Sequence, residues 1–246
     1  MRLPSFPVPV YGETVTSVVA RYLARAGIVA GRHLDMLGLK RASATAVAPV
    51  DLNALTSGVP DQHPWCSNGV EVIRQHTAVP WYLYFSGENH TKLVMTRLVD
   101  SGSSNPAASL GLTKLAIGQP GVKFCPVCVE TDITSRGFPV AYREHQVPYV
   151  KVCATHECSL HRGCTQCRED SKAISAWKMA GMCGCAEPST EPVCSQTLGT
   201  DTLKGLLWIS RQVNWALSRE SVTSDASRAQ LLFEGLKAEG FAGRNG

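Results

Sequence analysis

Apolar residues recur at the helical period through much of this chain and lose that period between positions 124 and 194. Over 15–26, Val15, Val18, Val19, Tyr22, Leu23 and Ala26 fall at i, i+3, i+4, i+7, i+8 and i+11, which is one face of an α-helix. Thr14 is placed to cap its start and Gly27 to stop it. The pattern predicts a short helix over 32–39, then a loop over 42–60, where Ser, Ala, Thr and Pro dominate. Helices are expected again at GVEVIRQH (69–76) and at ENHTKLVMTRLVD (88–100), where Leu93, Val94, Arg97 and Leu98 separate an apolar from a polar side. Further on, LGTDTLKGLLWISRQVNWALS carries Leu203, Leu206, Leu207, Val213 and Leu217 at helical spacing, with Trp208 and Trp215 beside them. A last helix over 225–239 puts Leu231, Leu232 and Leu236 on one side before Gly240.

The segment without period, Phe124 to Cys194, is rich in Pro, Gly and Thr and buries too little apolar surface to fold unaided. Such a segment needs a staple. SGSSNPAAS (101–109) has the small, turn-forming composition of a linker. The chain of 246 residues therefore divides into a helical N-terminal domain (1–120), a tandem zinc-finger segment (121–195) and a C-terminal helical segment (196–246). The expected fold class is mainly α, carrying two small zinc-finger or zinc-ribbon modules.

Charge changes this picture modestly. The net formal charge is +4, and residues 1–45 hold a local excess of the same size, from Arg2, Arg21, Arg25, Arg32, Lys40 and Arg41 against Glu13 and Asp35. If a phosphate backbone is contacted, Arg21, Arg25, Arg32, Lys40 and Arg41 are the N-terminal candidates, and a solvated basic helix face is the plainer reading of the same charges. MRLPSFPVPV lacks the apolar core of a secretory signal, and no stretch approaches the ~20 apolar residues of a membrane helix. A cytoplasmic protein with no membrane partner is expected. Ten cysteines in a reducing compartment read as metal ligands before disulfides.

Their spacing groups them. Cys125 and Cys128 in FCPVC form a knuckle that aims two thiolates at one point, half of a tetrahedron. Cys153 and His156 in VCATH repeat that spacing after 24 intervening residues, an insert long enough to carry a helix or hairpin over GFPVAYREHQVPYV. Cys158 and His161 are rivals for the fourth position, and Cys-x-x-His favours His156. Cys164 and Cys167 in GCTQC open a second quartet that Cys183 and Cys185 close after 15 residues, with Gly184 relieving the tight Cys-x-Cys turn. Thiolates with one imidazole select zinc, so two zinc ions per chain are expected, with Cys66, Cys158 and Cys194 left over. Four protein ligands leave no coordination position for a water, which argues against a zinc hydrolase. A redox Cys-x-x-Cys would open the helix of a βαβ unit, and neither knuckle reads as doing so. No phosphate loop, His-Glu-x-x-His helix or Gly-x-Ser-x-Gly elbow is present, and His90 and Glu144 read as surface or packing groups. No catalysis is expected.

FCPVCVETD, GFPVAYREHQVPYVKVCATHECSLHRGCTQC and the Cys-Gly-Cys closure at 183–185 together resemble the TniQ family pattern. That pattern runs Cys-Pro-x-Cys, an acidic residue, aromatic-Arg-x-His-Gln-x-Pro, Cys-x-x-His, Leu and Cys-x-x-Cys. PSFPVPVYGETVTSVVARYLARAG resembles the family's Pro-rich N-terminal block, and HTAVPWYLYF (76–85) a segment of its TnsD branch. Tyr149, where the family often has Gly, and Ala141, before the Tyr, depart from the pattern. The resemblance implies a target-selection adaptor of a TnsABC-type transposon, which binds target DNA or docks on a CRISPR effector complex and recruits a TnsC-like AAA+ ATPase. It also implies the same eight ligands, and an N-terminal helix-turn-helix over the predicted helices at 15–26 and 32–39. Selectors that read DNA sequence continue with further helical modules, and LLFEGLKAEGFAGRNG reads like the opening of one. Arg143, His145 and Gln146 either face DNA or orient the fingers, and homodimerisation is left open. The alternative is a zinc-dependent DNA-binding transcription regulator or protein-interaction module.

Overall fold

The computed structural model describes residues 2–27, 52–84, 86–100, 122–162 and 200–218. The predicted helices at 32–39 and 225–239, the 101–109 linker and the second cysteine quartet lie outside them. The described residues form α1 (Val15–Arg25), α2 (Leu52–Gly58), α3 (Gly69–His76), α4 (Val79–Leu83) and α5 (Glu88–Asp100). After these come β1 (Lys123–Phe124), α6 (Pro126–Arg136), α7 (Arg143–Gln146), β2 (His161–Arg162) and α8 (Thr200–Ser218). The one sheet among them is a two-stranded antiparallel ladder of β1 and β2. No helix among the described residues is long and apolar enough to cross a membrane.

α1 begins where its sequence says. The Thr14 side chain accepts from the Ser17 amide at 3.2 Å, and Gly27 ends the helix at φ +62. The stripe Val15, Val18, Val19 and Leu23 enters a core shared with Leu3 and Phe6, Leu52 and Leu55 of α2, Val72 and Ile73 of α3, and Val94 and Leu98 of α5. α3 approaches α5 so closely that a Cβ at Gly69 would stand 3.0 Å from the Val99 side chain, which would have to give by a few tenths of an ångström to admit one. Residues 52–58, expected as loop, are helical because Leu52 and Leu55 are one helical turn apart and both are fully buried. Their burial outweighs the turn-prone composition around them.

The second correction is α6. The first knuckle opens an eleven-residue helix that the sequence reading did not place. Its termini carry the signals: Cys125 caps it, Pro126 occupies the first turn, and Gly137 closes it in the left-handed region at φ +78, where glycine is favoured. Only Val129 and Asp132 on it are buried, which leaves no apolar stripe to detect. The helix does not belong to a βαβ unit, since the two strands are antiparallel.

The N-terminal block grips the finger insert edge to edge. The Thr14 amide donates to the Ala141 carbonyl at 2.8 Å and the Arg143 amide to that of Gly12 at 2.8 Å, around a bridge between Glu13 and Tyr142. A second core joins Ala78, Val147 and Val150 to Val213 and Leu217 of α8, with Trp81, Tyr82 and Leu160 packed against it.

Candidate metal centre

Two turns of similar build deliver the donor atoms. In the first, the Cys128 amide donates to Cys125 Sγ at 3.4 Å, and in the second the His156 amide donates to Cys153 Sγ at 3.5 Å. The second turn is the tip of a hairpin closed by the Cys153 amide on the Cys158 carbonyl at 2.8 Å and a Val152–Ser159 bridge. Glu157 reverses the chain there at φ +53.

The turns meet. His156 Nδ1 lies 3.4 Å from Cys125 Sγ, 3.2 Å from Cys128 Sγ and 3.6 Å from Cys153 Sγ, and the Cys128 and Cys153 sulfurs are 3.9 Å apart. A tetrahedron with metal–sulfur bonds of about 2.3 Å and a metal–nitrogen bond of about 2.0 Å has edges of roughly 3.5–3.8 Å. The observed separations match it within a few tenths of an ångström, and the four donor atoms all lie within 4.8 Å of one another. Cys125, Cys128, Cys153 and His156 can hold one metal ion.

The electrostatics point the same way. Hydrogen bonds from the Cys128 and Cys153 thiols hold the Cys125 thiol far below its ordinary range, while the hydrogen bond with Cys125 and then that with Cys153 drive Cys128 upward. For Cys153, hydrogen bonding with Cys125 raises the pKa, whereas Cys128 and His145 lower it, and the net shift is downward. Thiolates crowded together in a buried site repel one another, and a bound cation relieves that repulsion.

The rival ligands fall outside this group. Cys158 is buried, with Sγ 3.3 Å from Cys125 Sγ, but does not join the four mutually close donors. His161 sits on β2 against the Phe124 ring, centroids 5.9 Å apart. Cys66 packs on the N-terminal core. Cys164, Cys167, Cys183, Cys185 and Cys194 lie outside the described residues.

The Tyr-Arg-x-His-Gln segment is turned inward. The Tyr142 hydroxyl donates to Asp132 Oδ1 of α6 at 2.8 Å, and Arg143 donates to the Arg74 and Leu217 carbonyls. Gln146 clasps Lys123, accepting from its amide at 2.9 Å and donating to its carbonyl at 2.7 Å. His145, buried beside Cys153, packs edge-on against Tyr142.

This bears on the candidate DNA contacts. Arg143 is buried and bonded to backbone carbonyls. Arg21 is equally withdrawn: it pairs with buried Glu13 at 2.6 Å and lies 4.2 Å over the Phe138 ring. Neither presents its charge to solvent in this fold, because each satisfies groups that burial would otherwise leave unpaired. Arg25 is exposed at the end of α1. Arg32, Lys40 and Arg41 lie outside the described residues. Sequence reading missed the structural roles of Glu13, Asp132 and Lys123, single polar residues that no motif marks; the Lys123 partners lie 23 to 27 positions away.

A family model, TniQ, matches residues 4–160. No curated protein matches the chain. The match spans both the N-terminal block with its buried Glu13–Arg21 pair and the Cys125, Cys128, Cys153 and His156 centre, and on it the chain belongs to the TniQ family, a family associated with transposition.

Proposed function

We propose that this protein is a target-selection adaptor of a TnsABC-type transposon. It marks the insertion site, by binding DNA or by docking on a CRISPR effector complex, and recruits a TnsC-like AAA+ ATPase in the cytoplasm. It performs no strand chemistry itself. The family match over 4–160 carries this reading, and the chemistry of the donor set supports it. Three thiolates and one imidazole suit zinc, and a quartet filled by protein leaves no open position for a reacting water. The first zinc is assigned to Cys125, Cys128, Cys153 and His156. By spacing, a second belongs to Cys164, Cys167, Cys183 and Cys185.

Capture of the cognate ATPase by the immobilised chain, with and without DNA, tests the adaptor role. Capture in either condition supports it, and absence of capture in both would sink it in favour of a regulator or interaction module unconnected with transposition. Metal analysis of the purified chain should return two zinc ions, and a value of one would remove the second site.

A further inference from the structure

Three basic side chains converge on the finger hairpin. Lys123 of β1 stands directly opposite Arg162 of β2. The strand that ends in β2 bonds back to the Lys151 segment through the Leu160 amide, which donates to the Lys151 carbonyl at 2.8 Å. The Lys123 ammonium is buried and donates to the Val147 and Val150 carbonyls at 2.6 and 2.7 Å, and it feels the charges of both Lys151 and Arg162. Those two side chains are exposed.

No carboxylate balances them among the described residues. Between positions 151 and 162 the single acidic residue is Glu157, and it pairs with Arg211 at 2.8 Å. Neither Lys151 nor Arg162 takes part in an ion pair among the described residues. Like charges directly opposite on a ladder repel, and an external anion would relieve that repulsion. The other exposed cations of α8 differ, since Lys204 and Arg211 each meet an acidic partner.

We infer that Lys151 and Arg162, with Lys123 behind them, contact the phosphodiester backbone of duplex DNA. Two exposed cations, one on β2 and one on the segment bonded beside it, suit a polyanion laid along a surface, and phosphate contacts of this kind fix position without reading bases. The choice of DNA rests on the adaptor reading. The placement ties the contact to the metal centre, because Lys123 is two residues from Cys125 and the Lys151 segment leads into Cys153.

The test is fluorescence anisotropy with two labelled duplexes of unrelated sequence, titrated with the full metal-loaded chain over a range of salt. Lys151→Ala/Arg162→Ala is expected to bind both duplexes about tenfold more weakly at low salt, with the slope of log affinity against log salt shallower by about two. Lys204→Ala should leave the slope unchanged. Metal content and circular dichroism equal to the parent show that the double variant is folded. An unchanged slope in that variant, no duplex binding by the parent chain, or stronger binding to single-stranded RNA than to duplex would each overturn the inference. ATPase capture is measured separately: its loss with the salt result intact removes the adaptor role and not the phosphate contact.

Discussion

Buried charge at the N-terminus depends on one carboxylate. Glu13 accepts from Arg21 Nε at 2.9 Å, from Ser17 Oγ at 2.8 Å and from the Val10 amide at 2.9 Å, while its own carbonyl meets His76 Nδ1 at 2.8 Å. Removing one partner of such a pair leaves a buried charge unmatched. Glu13→Gln should therefore lower the unfolding free energy by about 3 kcal/mol, measured by urea denaturation, and the double variant Glu13→Gln/Arg21→Met should regain part of that. His76 gives a pH signature. Burial brings its pKa down to about 4, against a smaller upward effect from the Glu13 carbonyl. A folded-state value below the unfolded one means that the unfolded chain binds the extra proton first. The stability that the neutral ring contributes is then full above pH ~6.5 and is lost as pH falls toward ~4, on the order of 3 kcal/mol. Comparing the protein with His76→Gln at the two ends of this window isolates that contribution from thiolate protonation, which both share.

At the scale of elements, α6 is held by its ends. It buries only two side chains, so capping and the knuckle stabilise it more than a core face does. Gly137 has open space where a Cβ would stand but a φ of +78, so Gly137→Ala meets backbone strain and no clash. A loss of about 1 kcal/mol is expected in thermal unfolding of the metal-loaded protein. The Cys153–Cys158 hairpin follows the same logic: backbone bonds set its tip, and the metal ligands set its distance from α6.

Across the whole molecule, the N-terminal core and the metal centre differ in what holds them. The first has a contiguous apolar cluster from Leu3 to Leu98, whereas around the second the packed cluster is largely the cysteines themselves. Metal binding supplies much of the folding free energy of such a segment. Chelation should therefore abolish amide-exchange protection in α6 and the 152–159 hairpin while α1, α3 and α5 retain theirs. Uniform loss of protection would show that the two units unfold as one. Arg143 is one mechanical link between them, since its backbone bonds to Gly12 and its guanidinium bridges Arg74 to Leu217 of α8.

The sequence by itself determined the elements and donors whose signals are local. The 3.6-residue stripe and its caps placed α1, and Cys-x-x-Cys with Cys-x-x-His named the four residues that meet, because knuckle geometry is fixed within four positions. Tertiary structure alone decided whatever depends on remote partners. It made Leu52–Gly58 a helix, since only a core built from α1, α3 and α5 could reward two leucines in a polar run. It turned Arg21 and Arg143 from candidate contacts into buried ties, because their partners, Glu13, Arg74 and Leu217, come to them only through folding. It also set Lys123, Lys151 and Arg162 side by side, a juxtaposition of strands that no spacing along the chain encodes.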